Sequence, residues 1–243
     1  MHARRILPAS RGFTLIELLA VIGIIAVLVA IMLPVIGSMG NRAKTTACLS
    51  NLRQCGVLIR LYTGENNDTF PNATVNNQGY VTALSAYLPV IQAKSNKNVF
   101  VSPAAKLRTT TFGNTNFTYA VHNGLFGGSA AKQESAVMTT DVKRPSEVIM
   151  MANGAQLPED GGSCAYTFYN PYELNQGLSS DVSTKLDQPI PCDDSTNVDN
   201  DNGEGYLRYV QNNNTAVNCL MVDGHVETIA KGKVLYRNVV YDQ

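Results

Sequence analysis

Two hydrophobic patterns follow one another at the start of the chain. From Phe13 to Ile36 the only side chains that are neither apolar nor small are Thr14 and Glu17. A run of that length and composition suits a bilayer-spanning helix, whereas a helix of a soluble core would be shorter and would keep a polar face. Further on, Cys48, Leu52, Cys55, Ile59 and Tyr62 recur at alternating spacings of four and three, with Asn51, Arg53, Gln54 and Arg60 between them. This is one apolar stripe at helical period. Together the patterns predict a helix from near Phe13 to near Thr63, with Gly64 as its C-terminal stop. Such a helix is about 75 Å long at 1.5 Å per residue, so its second half must leave the membrane and lie against a folded domain.

From Glu65 onward the chain turns to Asn, Thr, Ser and Gly with short apolar runs, the pattern of strands and loops. A short helix is expected around 80–88, and strands at 117–121, 147–152, 206–211, 218–222 and 225–229. Asp223-Gly224 joins the last two and predicts a type I′ hairpin turn, in which both central residues need positive φ. His122-Asn123-Gly124 reads as a turn. The expected fold class is α+β: a long N-terminal helix, transmembrane in its first half, packed on a C-terminal antiparallel sheet. The expected divisions are 1–12, 13–36 as the spanning helix, 37–64 as its amphipathic continuation, and 65–243 as the globular domain.

Composition narrows the function. The 243 residues suffice for one sizeable domain beyond the apolar segment. Charged residues make up 16% and cancel to a net charge of zero, so no overall field draws the protein to nucleic acid. Arg4, Arg5 and Arg11 precede the apolar run with no acid among them, and Asp193, Asp194, Asp199, Asp201 and Glu204 cluster without a base. Five cysteines are an odd count and too few for a disulfide scaffold. Cys48 and Cys55 lie roughly 10 Å apart by helical rise, too far to bridge, and read as core residues. Cys219 falls in an expected strand, and Cys164 and Cys192 bracket a loop-rich segment where a bridge is open to an exported domain.

The N-terminal run admits three readings. A secretory signal has an apolar stretch of only about 7–15 residues followed by its cleavage site, shorter than the run here. A plain anchor accounts for the length and for the arginines, which hold their end in the cytoplasm. It does not account for Glu17, because an acid on a lipid-facing helix costs about 2.5–3.5 kcal/mol at the bilayer centre and less near the interface. Glu17 needs a partner or must reach the headgroups.

Gly12-Phe13-Thr14-Leu15-Ile16-Glu17-Leu18-Leu19 resembles the cleavage and methylation motif of type IV pilins and type II secretion pseudopilins. The resemblance implies that a prepilin peptidase removes residues 1–12 by cutting between Gly12 and Phe13, and that the new Phe13 amine is N-methylated. It also implies a partner for Glu17, namely the Phe13 amine of a neighbouring subunit in a filament. Pro34 sits at a depth where such helices often carry a proline. The implied partners are identical or related pilin subunits, the peptidase and methyltransferase, an inner-membrane assembly platform and the bilayer. The implied location is the bacterial inner membrane, N-terminus cytoplasmic and domain periplasmic, followed by a filament. Cys48 to Gln54, Pro145-Ser146-Glu147 and Val222-Asp223-Gly224-His225-Val226 are similar to landmarks of a pseudopilin subgroup, although Ser102-Pro103 stands where those proteins often have Cys-Pro, and Arg208-Tyr209 where a histidine often follows the arginine.

Catalytic signatures are missing from the sequence: it has no nucleophile elbow, Walker loop, metalloprotease motif or Cys/His zinc spacing. The expectation is a structural protein rather than an enzyme. Of the three histidines, His2 lies in the leader and His225, beside Asp223, reads as a hairpin residue. Asp199-Asn200-Asp201-Asn202-Gly203 begins like a calcium loop but lacks the closing glutamate, so Asp199 and Asp201 are weak calcium candidates and a solvated acidic loop is the plainer reading.

Overall fold

The computed structural model of the chain describes residues 13–75, 78–89, 98–105, 110–112, 115–127, 136–154, 156–157, 163–164, 167–168, 182–190, 207–212 and 214–241. Two compact units meet at residues 40 and 41, Met1–Gly40 and Asn41–Gln243. Helix α1, Leu15–Glu65, contributes to both. In the first unit its stretch Leu15–Leu33 is apolar with no part of it buried.

In the second unit α1 is the helical layer of an α+β domain. Cys48, Leu52, Cys55 and Ile59 are buried and Tyr62 half-buried, so the stripe legible in the sequence is the face that meets the core. Burying Leu52 and Ile59 stabilises the domain by about 1.5–3 kcal/mol each. Just ahead of Leu52, Asn51 Nδ2 donates to the Val101 carbonyl at 3.0 Å, fixing the helix against that loop. Gly64 does not end the helix. Asn67 and Asp68 do, at φ 52° and 57°, with the Asp68 N–H donating to the Thr63 carbonyl at 2.9 Å and Asn66 Nδ2 to the Tyr62 carbonyl at 2.8 Å. Asn and Asp tolerate this left-handed backbone better than other side chains.

Along the chain, strands β1 (Thr74–Val75) and β2 (Gln78–Gly79) form a short antiparallel pair, followed by helix α2 (Tyr80–Ser85). Strand β3 (Thr110–Phe112) pairs with β4 (Thr115–Phe117), and β5 (Tyr119–His122) runs into the one-turn helix α3 (Asn123–Phe126). Strand β6 (Ile149–Asn153) is followed by the pair β7 (Gln156–Leu157) and β8 (Ser163–Cys164) and by β9 (Thr167–Phe168). The hairpin β10 (Ala216–Met221) and β11 (Val226–Ala230) completes the set. The main sheet has the order β11-β10-β6-β5-β9. Its first four strands pair antiparallel, and β9 joins β5 in parallel.

The central strands of this sheet, β5, β6 and β10, are covered on both faces. Tyr119, Val121, Met151 and Leu220 join the cluster around α1, whereas Ala120, Ala152, Val217, Cys219 and Met221 join a second cluster with Phe168, Leu207, Tyr209, Val234, Tyr236, Val239 and Val240. The alternation follows from the period of two along a strand. It slips at Met150: Leu220 faces Met151 and Met221 faces Ile149, so Met150 is an extra residue, a β-bulge, and both Met150 and Met151 fall in the α1 cluster. Central strands buried on both sides carry continuous apolar runs, which is why residues 148–152 show no alternation in the sequence.

Several expected boundaries move. The strand expected at 117–121 breaks at Thr118, whose N–H turns away to the Phe100 carbonyl. The expected 206–211 strand is not one over its described residues 207–211, which make only isolated bridges, Leu207 to Gly154 and Gln211 to Ala216. The final hairpin turn is not type I′. Met221 N–H donates to the His225 carbonyl and Gly224 N–H to the Met221 carbonyl, both at 2.9 Å, and of the two turn residues only Gly224 has positive φ, at 92°. This is a three-residue loop closed by a glycine, the next most common hairpin connection. His122-Asn123-Gly124 is the capped start of α3 rather than a turn.

Candidate functional site

Helix α1 opens on a capping box. Thr14 precedes the first helical residue, and the Glu17 N–H donates to Thr14 Oγ1 at 3.2 Å. In return the Thr14 N–H and Oγ1–H both donate to Glu17 Oε2 at 2.9 Å. Two helix-end groups are satisfied reciprocally, and the carboxylate lies in the first turn, where the helix dipole favours a negative charge. The need of Glu17 for a partner is thus met first within the chain, and Thr-x-x-Glu ahead of an apolar run is the sequence signature of such a cap. Glu17 enters the apolar segment already held by the chain's own N-terminal donors.

Beyond the cap, Leu15, Ile16, Leu18 and Leu19 are exposed, as is Phe13 at 77%. Bare apolar surface on every side of a helix calls for lipid or other helices around it. Among the described residues one helix, Leu15–Leu33, is long and apolar enough to cross a membrane. Residues 7–33 match the family model described as the prokaryotic N-terminal methylation motif. The chain carries a prepilin-type N-terminus. No curated protein and no solved structure matches the chain.

The match ends at residue 33, so the similarity of Val222-Asp223-Gly224-His225-Val226 to a pseudopilin subgroup has no counterpart in it. Phe13 and Glu17 are in the described segment, while Arg4, Arg5, Arg11 and Gly12 lie outside it. Also outside are Asp199, Asp201 and Cys192, and the side chain of Cys164. Among the described residues no cluster of three or more His, Cys, Asp or Glu side chains could hold a metal ion.

The remaining reactive groups serve the domain. Cys48, Cys55 and Cys219 are free and buried. Burial pushes the Cys55 and Cys219 thiols up from their ordinary range, leaving them protonated and unreactive. Cys48 Sγ lies 3.3 Å from the Tyr119 hydroxyl and 3.8 Å from Ser102 Oγ, so Ser102 faces a thiol in the core. His225 Nδ1 and its backbone N–H both meet Asp223 Oδ1, at 2.6 and 3.0 Å, on an exposed loop. The pair stiffens the hairpin.

The role of His122 has no signal in the local sequence. It is fully buried, its Nδ1 accepts from the Leu125 N–H at 3.2 Å as the cap of α3, and its Nε2 lies 2.8 Å from the Val239 carbonyl. An Nδ1 that accepts and an Nε2 that faces a carbonyl define the neutral Nε2–H tautomer. Burial lowers its pKa to about 4. Its ring makes T-shaped contacts with Phe168 and Tyr241, so His122 joins β5 to the C-terminal strap, residues 231–241, that follows β11. The strap is also held by Arg144 Nη2 on the Val240 carbonyl at 2.9 Å, and by Arg237 between Glu147 and Asp187.

Proposed function

We propose that the chain is the precursor of a structural subunit of a type II secretion pseudopilus or type IV pilus-like filament. In this reading it inserts in the inner membrane with the N-terminal arginines cytoplasmic, is trimmed between Gly12 and Phe13, and polymerises through its apolar helix. The observation that carries it is the methylation motif over residues 7–33, continuous with an apolar helix that buries none of Leu15–Leu33 within the chain. The helix bundle forms the filament core and the domain from Asn41 onward its outer surface. The role is non-enzymatic, its partners being identical or related pilin subunits, prepilin peptidase and methyltransferase, and the inner-membrane assembly platform.

Glu17 has two partners in turn. In the monomer the carboxylate is capped by Thr14. In the filament it pairs with the Phe13 amine of a neighbour, and the attraction between opposite charges is strengthened in the low-dielectric bundle. Mass spectrometry of the mature protein tests the processing step: Phe13 is the expected N-terminus, N-methylated, and any other N-terminus refutes it. The expected phenotype of Glu17→Ala is normal membrane insertion with loss of filaments. Retained function without filaments would assign the helix to a simple tether.

A secretion pseudopilus and a surface pilus for adhesion, motility or DNA uptake share these steps. Genes for a secretion ATPase and an outer-membrane secretin beside this one favour the former, and retraction machinery the latter.

A further inference from the structure

Charge is sorted along the second unit. From Leu18 to Gly64 the chain carries Arg42, Lys44, Arg53 and Arg60 and no acid, and the acids begin at Glu65 and Asp68, where α1 ends. Arg60 is tied to the Asp223 carbonyl. Arg42 and Lys44 are exposed in the first turns that α1 contributes to this unit. The fold brings two loops to the same end. Thr45 Oγ1 lies 2.7 Å from Gln211 Oε1, and Asn218 Nδ2 donates to the Thr45 carbonyl at 3.2 Å, which sets the start of β10 against these turns. Asn212 and Asn214 line one surface with Lys44. The Lys231 N–H donates to the Thr215 carbonyl at 2.8 Å, so the turn that carries exposed Lys233 lies here too.

The described residues of segments 41–45, 210–216 and 230–233 include no acid. The far end of α1 has the opposite character: Glu65 and Asp68 are exposed, and the Thr139 N–H donates to the Asp68 carbonyl at 2.7 Å, which brings exposed Asp141 beside them. From Asn41 to Glu65 the helix separates the two ends by about 36 Å. The cationic end is the one tethered to the apolar helix, because the link from Leu33 to Asn41 reaches about 28 Å at most, even fully extended. Cations so soon after a span on the translocated side work against the orienting arginines ahead of it. Their presence calls for a partner on that side, and the surface within reach of the tether is the outer face of the bilayer.

We propose that this end of the domain docks on the bilayer, with Arg42, Lys44 and Lys233 on the phosphates of anionic phospholipid headgroups. Docking presupposes the membrane insertion read above. A guanidinium and an ammonium both bind phosphate through charge-assisted hydrogen bonds, and each cation beside an anionic leaflet favours the docked state about fivefold. The acids at the far end are repelled by the same leaflet and stay in solvent, so the charge pattern orients the domain as well as holding it. A subunit that leaves the membrane for a filament must give up these contacts. Anionic lipid therefore retains the unassembled subunit.

The chain has no tryptophan, so a single introduced one reports its own surroundings. The full chain carrying Thr215→Trp at the cationic end, or Met138→Trp at the far end, is reconstituted in vesicles of phosphatidylcholine alone or mixed with phosphatidylglycerol. A trace of lipid with a nitroxide on its headgroup quenches tryptophans at the membrane surface. The expected result is quenching of the Thr215→Trp probe that rises with phosphatidylglycerol and is lost in 1 M salt, where the screening length is about 3 Å, with the Met138→Trp probe unquenched throughout. Arg42→Gln and Lys44→Gln, both at exposed positions, should each shift the docked-to-undocked ratio about fivefold, with circular dichroism confirming the fold. Quenching equal in neutral and anionic vesicles, or unchanged in the two variants, means a passive tether and overturns the proposal. Quenching that follows the protein-to-lipid ratio instead of phosphatidylglycerol means contact with a second subunit and overturns it as well. Flotation of the chain with neutral vesicles in 1 M salt checks insertion separately: if it fails, the membrane reading falls and docking with it, whereas insertion without lipid-dependent quenching sinks docking alone.

Discussion

Acidification should destabilise the domain through His122. Its folded pKa is lowered from 6.5 to about 4, so between those values the unfolded chain binds a proton that the folded one refuses. Stability from this group is therefore complete above about pH 6.5, falls as the pH drops, and levels off below about pH 4. A tenfold difference in proton affinity between the folded and unfolded chain corresponds to about 1.4 kcal/mol, so the full loss is about 3 kcal/mol, of which about 2 kcal/mol is gone by pH 5. The cause is structural: Nδ1 accepts from the Leu125 N–H, and a proton there would oppose that cap within a fully buried site. Urea unfolding of the full chain in detergent, followed by tyrosine signals at about pH 8 and pH 5, gives the total pH dependence. Carboxylates contribute to it, so the diagnostic quantity is the difference between the wild type and His122→Gln, whose amide supplies an acceptor without titrating. The variant should lose about 2 kcal/mol less on acidification. Equal losses in the two proteins, or a His122 ring that titrates near 6.5 in the folded state by NMR, would refute the reasoning.

Two other substitutions probe the helix cap and the final hairpin. Thr14→Ala removes the capping box and should weaken the first turn of α1 by about 1 kcal/mol, seen as faster amide exchange over Leu15–Leu18 in detergent; unchanged exchange would mean the cap holds nothing. Gly224→Ala should destabilise the domain by more than about 1 kcal/mol, because the residue has φ of 92° and an added Cβ would collide with the Arg60 guanidinium, which donates to the Asp223 carbonyl. A midpoint within experimental error of wild type in denaturant unfolding would show that the loop relaxes freely.

The local signals were legible because they depend on neighbours in sequence. An apolar run, a glycine before Phe-Thr-Leu-Ile-Glu, a stripe at helical period and a turn dipeptide between two strands each carry their physics within a few residues, and from them alone the chain reads as a membrane helix leading into a helix-plus-sheet domain. Even the Thr14–Glu17 cap is a local pattern of this kind. What only the tertiary structure decided depends on residues far apart along the chain. Residues 148–152 are buried on both faces because the C-terminal strap covers the side of the sheet away from α1, and no local pattern announces a second layer. The hairpin loop takes three residues rather than two because its closure depends on how Met221 meets His225. His122 looks like part of a polar turn until Leu125 and Val239 close on its two nitrogens, and Gln211 meets its partner Thr45 only because the loop ahead of β10 packs against α1. Periodicity reports which face of an element is apolar; what covers that face is settled by long-range packing.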